Sequence, residues 1–165
     1  MRKKVWYVLF LCTNNAVRSI LAESLLHRLG HGAFQAYSAG SHPLGTVHPY
    51  ALELLEQHQY PVTHLRSKSW QTFTGPLAPP LDFVFTLSEE VAHETAPVWP
   101  GEPLIVHWGM PTPVTVEGDE TVKRAAFLDT MRRLERRITR FVHLPFTALD
   151  RETLKRQLEA MGDAG

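Results

Sequence analysis

The stretch "LCTNNAVRSI" carries the chain's single cysteine, Cys12, and an arginine six residues later, Arg18. A thiolate is a strong nucleophile, and a guanidinium is a planar fork that grips two oxygens of a tetrahedral oxyanion together. If a helix begins near Arg18, the intervening loop can turn successive backbone N–H groups toward one centre, where the helix terminus adds positive potential. That field holds an oxyanion and favours the charged form of Cys12. Ser19 can donate a hydrogen bond to the sulfur, and Asn14 and Asn15 suit left-handed backbone. Without context the same spacing also fits a small buried cysteine and an arginine lying over a surface.

The surrounding elements supply that context. Val5 to Leu11 is apolar without alternation, as in a strand buried on both faces. Val17 to Leu29 reads as a helix with Leu21, Leu25, Leu26 and Leu29 inward and Gly30 as its C′ residue. "FQAYS" suits a second strand closed by "AGSHP", and Pro49 opens a helix with Ala51, Leu52 and Leu55 inward. "DFVFTL" reads as a third buried strand and "LIVHW" as a fourth strand, separated by a short helix that Ser88 caps. Phe127, Met131, Leu134, Ile138 and Phe141 mark a long helix from about Asp119, and Asp150 to Met161 a last one. Strands alternating with helices predict a parallel α/β sheet, and in such sheets ligands bind beyond the carboxyl ends of the strands. Cys12 falls at one of those ends.

At 165 residues the chain has the length of one domain, taken as 1–165, with no repeat or linker. Lysine plus arginine equal aspartate plus glutamate at 17 each, so no global field recruits nucleic acid or a membrane. One cysteine excludes an internal disulfide and fits a reducing, cytoplasmic setting. "MRKKVWYVLFLC" imitates an export signal, but its apolar run is short and Leu11, not a small residue, precedes Cys12. Nothing approaches the ~18 apolar residues of a membrane span.

"CTNNAVRS" on a first strand-to-helix loop resembles the low-molecular-weight protein tyrosine phosphatases and their arsenate-reductase relatives. "YSAGSHP", "VHPYALELL", "HLRSKSW", "PPLDFVFTLS", "PVWPGEP", "HWGMP" and "RITRFVHLPF" resemble the arsenate-reductase branch in particular. The resemblance implies a three-layer α/β sandwich around a four-stranded parallel sheet. It implies Cys12 as nucleophile, Arg18 as oxyanion ligand, Ser19 as support for the thiolate and Asn15 as stabiliser of the loop. Thr13, Asn14, Asn15, Ala16, Val17 and Arg18 would form the substrate cradle. The family usually has glycine where this chain has Asn14, an exchange that a left-handed residue would tolerate.

Two departures bear on chemistry. The family's general-acid aspartate belongs to an Asp-Pro pair after the fourth strand, where "MPTP" places Thr112. A hydroxyl cannot protonate a leaving group as a carboxylic acid does, a loss worth about 10²–10⁴-fold. Glu117 and Asp119, further along, are candidate substitutes or ordinary solvated acids. Thioredoxin-coupled arsenate reductases carry further cysteines after the third strand; the matching places hold Ser88 and Ala96. With no second thiol, a reductase would need an external one: glutathione, mycothiol or a glutaredoxin-like partner.

The expected function is therefore reduction of arsenate by an external thiol. A phosphatase with altered acid catalysis and a catalytically weak oxyanion-binding protein stay open as alternatives. No bound cofactor or metal is expected, because His27, His31, His42, His48 and His107 lack ligand spacing. His107 and Trp108 are expected at the mouth of the site and Trp70 in the core. Arg132, Arg133, Arg136, Arg137 and Arg140 are expected to form a solvated basic helix face.

Overall fold

The computed structural model describes residues 4–163. Strand β1, Trp6–Cys12, pairs in parallel with β2, Phe34–Gly40, on one side and with β3, Phe83–Thr86, on the other. Strand β4, Leu104–His107, pairs in parallel with β3, giving the order β2-β1-β3-β4. The inner position of β1 explains its unbroken apolar run, since Val8 to Leu11 are buried on both faces. At the edge, β4 alternates instead: Leu104 and Val106 point in, Ile105 and His107 out. Met1 to Lys3, the charged start of the export-like stretch, lie outside the described residues; its apolar part is this inner strand.

On one face lie α1, Arg18–Leu29, α2, Pro49–Gln57, α4, Glu120–Val142, and α5, Arg151–Asp163. Leu21, Leu25 and Leu26 of α1 meet Met131, Leu134, Ile138 and Phe141 of α4 over Val8 and Phe10. The other face is thinner, with Trp70, Phe73 and Trp99 covering Leu9, Leu11 and Val84 beside the short helix α3, Glu89–His93. Trp70 is thus in the core as expected, edge-on to Trp99. The layers make the expected sandwich. No described helix is long and apolar enough to cross a membrane.

Several local expectations need correction. Helix α1 begins at Arg18, and Val17 is its uncapped N-terminal flank. Gly30 is not left-handed (φ −77°); His31 turns the chain instead at φ 47°. Gly30 is small because a Cβ there would stand 2.8 Å from both Leu26 O and a Phe34 ring carbon. In α2 the buried positions are Ala51, Leu54 and Leu55, with Leu52 only partly covered. Arg137 does not belong to a solvated face: it is 4% exposed and donates to the carbonyls of Trp108 (3.0 Å) and Gly162 (3.0 Å). Trp108 is likewise fully buried against Phe85, with its indole N–H on Leu158 O. The carboxyl end of β4 therefore rests on α4 and α5, with Trp108 inside the core and away from any mouth.

Candidate functional site

Residues 13–17 run from the end of β1 to the start of α1. Their carbonyls are fixed outward. Thr13 O accepts from the His42 amide (2.8 Å), Asn14 O from Leu44 N (3.0 Å) and Ser67 Oγ (3.0 Å), and Ala16 O from His48 N (3.0 Å). A trans peptide points its N–H opposite its carbonyl, so the amides of Asn14, Asn15 and Val17 face the other way. The result is a concave nest of donors continuous with the N-terminus of α1, the arrangement that binds anions. His48 completes this outer wall. Its Nδ1 accepts from Tyr50 N (3.0 Å) at the start of α2, and burial pushes its imidazole below the ordinary histidine range.

Behind the nest is a buried polar chain. Cys12 Sγ and Ser19 Oγ are 2.8 Å apart, and Asn15 Nδ2 donates to Ser19 Oγ at 2.7 Å. Cys12 is 2% exposed; Asn15 and Ser19 are fully buried. Asn15 cannot turn its amide around, because its Oδ1 accepts from the Lys68 backbone N–H at 2.9 Å. With Asn15 donating, a lone pair of Ser19 is occupied and its one proton is directed to the sulfur. A hydrogen bond donated to the charged form favours that form, so the chain stabilises a thiolate. Asn15 is the left-handed residue (φ 47°) and Asn14 is not; the expectation for Asn14 is corrected. Asn14 serves instead through its side chain, which donates to His42 O at 2.8 Å and ties the nest to the loop after β2.

A small open cavity of about 30 Å³ lies above Cys12, lined by Asn14, Ala16, Val17, Arg18, Thr112 and Val114. Arg18 reaches it with one donor spent on Met110 O (2.9 Å), which fixes the guanidinium and leaves the rest of its five N–H groups. Of the sequence-derived candidates, Cys12, Asn14, Ala16, Val17, Arg18 and Thr112 converge here. Asn15 and Ser19 support from below, and Thr13 turns its hydroxyl to Ser88 Oγ at 2.9 Å. Glu117 is exposed and Asp119 is engaged as the N-cap of α4, accepting from Val122 N at 3.0 Å; neither lines the cavity. His107 stands apart from the cavity, bonded to Thr86 Oγ1 (2.8 Å) and Glu89 (2.9 Å), which corrects its expected place at the mouth. Among the described residues no three His, Cys, Asp or Glu side chains converge as a metal site.

Sequence reasoning missed Gly40, Lys68 and Met110. Gly40 ends β2 directly beneath the nest, where a Cβ would stand 2.6 Å from Thr13 O and 2.9 Å from Asn15 N. Only the glycine of "YSAG" permits that backbone approach. Met110 contributes a carbonyl, which no side-chain pattern reveals.

The comparisons with known proteins agree with this geometry. An arsenate reductase of Halalkalibacterium halodurans is 32% identical over 141 residues, 86% of this chain and 96% of that one. Arsenate reductase from Archaeoglobus fulgidus shares the fold with a TM-score of 0.65 at 20% identity, over 83% of this chain and 99% of that one. The tyrosine phosphatase Wzb from Escherichia coli K30, in complex with sulphate, does so at 0.62 and 24% identity, over 82% and 95%. Residues 7–159 match the model of the family described as low molecular weight phosphotyrosine protein phosphatase. With its Cys12–Arg18 nest at the end of β1, the chain belongs to that family.

Proposed function

We propose that the chain reduces arsenate, with Cys12 as nucleophile, Arg18 and the amides of residues 13–17 as the oxyanion cradle, and an external thiol as reductant. The observation that carries this reading is a complete thiolate cradle whose rim holds Thr112 and no carboxylate. Relatives over 86% of the chain that are named arsenate reductases point the same way. A reducing cytoplasm suits the reaction.

The Cys12 thiolate attacks arsenic(V) of protonated arsenate, forming an S–As bond as one arsenate oxygen leaves as water. An external thiolate then attacks the Cys12 sulfur. The S–As electron pair passes to arsenic, arsenite departs as arsenic(III), and Cys12 is left in a mixed disulfide. A second external thiol releases Cys12, so that two thiols become one disulfide per arsenate. Expelling water from protonated arsenate asks less of a general acid than expelling an alkoxide or phenoxide, so Thr112 weakens this reaction less than phosphoester cleavage.

The test is arsenite production from arsenate with glutathione, mycothiol and a glutaredoxin system offered separately. Turnover with one of them, abolished in Cys12→Ser, is the expected result. Phosphoester turnover without any thiol would replace this reading with a hydrolase. Arsenate protection of Cys12 from alkylation without turnover would replace it with an oxyanion-binding protein.

A further inference from the structure

The Lys68 side chain is largely withdrawn from water, 27% exposed, and faces Glu23 of α1, 13% exposed, at 3.8 Å. The same Glu23 oxygen accepts from Ser38 Oγ of β2 at 2.5 Å. The Lys68 ammonium also donates to Arg66 O at 3.0 Å. Its backbone is spent as well: its N–H holds Asn15 Oδ1, and its carbonyl accepts from Gly40 N at 2.9 Å. One residue thus joins α1, the end of β2 and the anion nest.

We propose that Lys68 and Glu23 form a strap that positions the nest: their side-chain pair fixes the segment whose amide orients Asn15, and Asn15 orients Ser19 toward the sulfur. The Lys68 N–H sets the rotation of the Asn15 amide, and an amide turned over would present oxygen to Ser19 and draw its proton away from Cys12. The charges facing Lys68 are Glu23 across from it and Arg66 on its own segment; burial pushes its ammonium below the ordinary lysine range, Glu23 opposes this and Arg66 adds to it. At 3.8 Å charge attraction, and no hydrogen bond, holds the two side chains together. The inference rests on Cys12 working as a thiolate. Lys68 and Glu23 are positioning residues and touch no substrate.

The experiment is the pH dependence of Cys12 alkylation by iodoacetamide in the full chain and in Lys68→Met, Lys68→Arg, Glu23→Gln and the Lys68→Met/Glu23→Gln double variant, with Tm recorded for each. Both single losses, Lys68→Met and Glu23→Gln, are expected to move the alkylation midpoint upward by about half a pH unit or more, near threefold slower at neutral pH. Lys68→Arg should restore most of the shift, and the double variant should move no further than the larger single. A charge acting only through space would move Lys68→Met up and Glu23→Gln down, and that result overturns the strap. A lowered Tm with an unmoved midpoint overturns it too, as a role in stability alone. If Lys68→Met does not fold, Glu23→Gln decides: upward supports the strap, downward or unmoved overturns it. Alkylation needs no arsenate, so a protein inactive toward arsenate still gives the answer.

Discussion

Residues 13–17 and 110–119 leave the same end of one parallel sheet and face each other across Cys12, but their hydrogen bonds run to different distances. In the first loop three carbonyls and three side chains are tied to residues remote in sequence or to the chain beneath Cys12. In the second, once Met110 has bonded Leu87 O through its N–H (3.1 Å) and Arg18 through its carbonyl (2.9 Å), the ties are local: Val114 N donates to Thr112 Oγ1 (3.2 Å) and Val116 N to Pro113 O (3.3 Å). Val114 is 48% exposed. The anion nest is built into the fold, whereas the rim residues of the second loop, Thr112 and Val114, can change with little disturbance of the core. Substitution in the second loop therefore costs the fold least.

The comparison is sharpened most by Thr112→Asp. A carboxyl placed at the rim is expected to raise phosphomonoester hydrolysis by about 10²–10⁴-fold, read with an aryl phosphate, while Tm stays within a few degrees. An unchanged rate would mean that the second loop holds residue 112 out of line. Changes to the first loop should damage both fold and chemistry. Gly40→Ala forces a Cβ onto the backbone of Thr13 and Asn15, which cannot yield as a side chain would. A loss of about 1–3 kcal/mol by denaturant titration, with weakened arsenate protection of Cys12, is expected.

Asn15→Ala removes two buried hydrogen bonds and puts alanine at φ 47°, for about 1–3 kcal/mol. Asn15→Gly relieves the backbone part alone, so its Tm should recover partly while slow Cys12 alkylation persists. The smallest effect lies at the sheet edge away from the cavity. The hydrogen bond from His107, and then its charge, hold the Glu89 carboxyl below the usual range. Such a group stabilises the fold above its unfolded pKa, and that contribution is lost as pH falls through the lower folded value. Glu89→Gln should therefore flatten the acid limb of a Tm-against-pH curve slightly and leave arsenate turnover alone.

The nest was legible because Cys12, Asn15, Arg18 and Ser19 lie within one strand-loop-helix passage, where spacing translates directly into geometry. Lys68 and Met110 were not, because they act through backbone groups 53 and 92 residues from their partners. Arg137 was misread by its charge, although it falls between Leu134 and Phe141 on the stripe that packs inward. Gly30 and Asn14 went astray for a shared reason: composition says that a turn needs a left-handed residue, and only the packing around it says which one. The parallel sheet was legible but its order was not: pairing sets β1 inside and the alternating β4 at an edge.

Arg137 gives the far end of the chain an unusual dynamic character. A terminal helix ordinarily frays first, and its amide protons exchange with solvent ahead of the core. Here opening α5 withdraws Gly162 O from a buried guanidinium and Leu158 O from the Trp108 indole in one event. The amides of α5 near Leu158 should exchange in step with those of α4, as one cooperative unit. Removal of α5 would then be felt through Trp108 at Met110 and Arg18, on the opposite side of the sheet end.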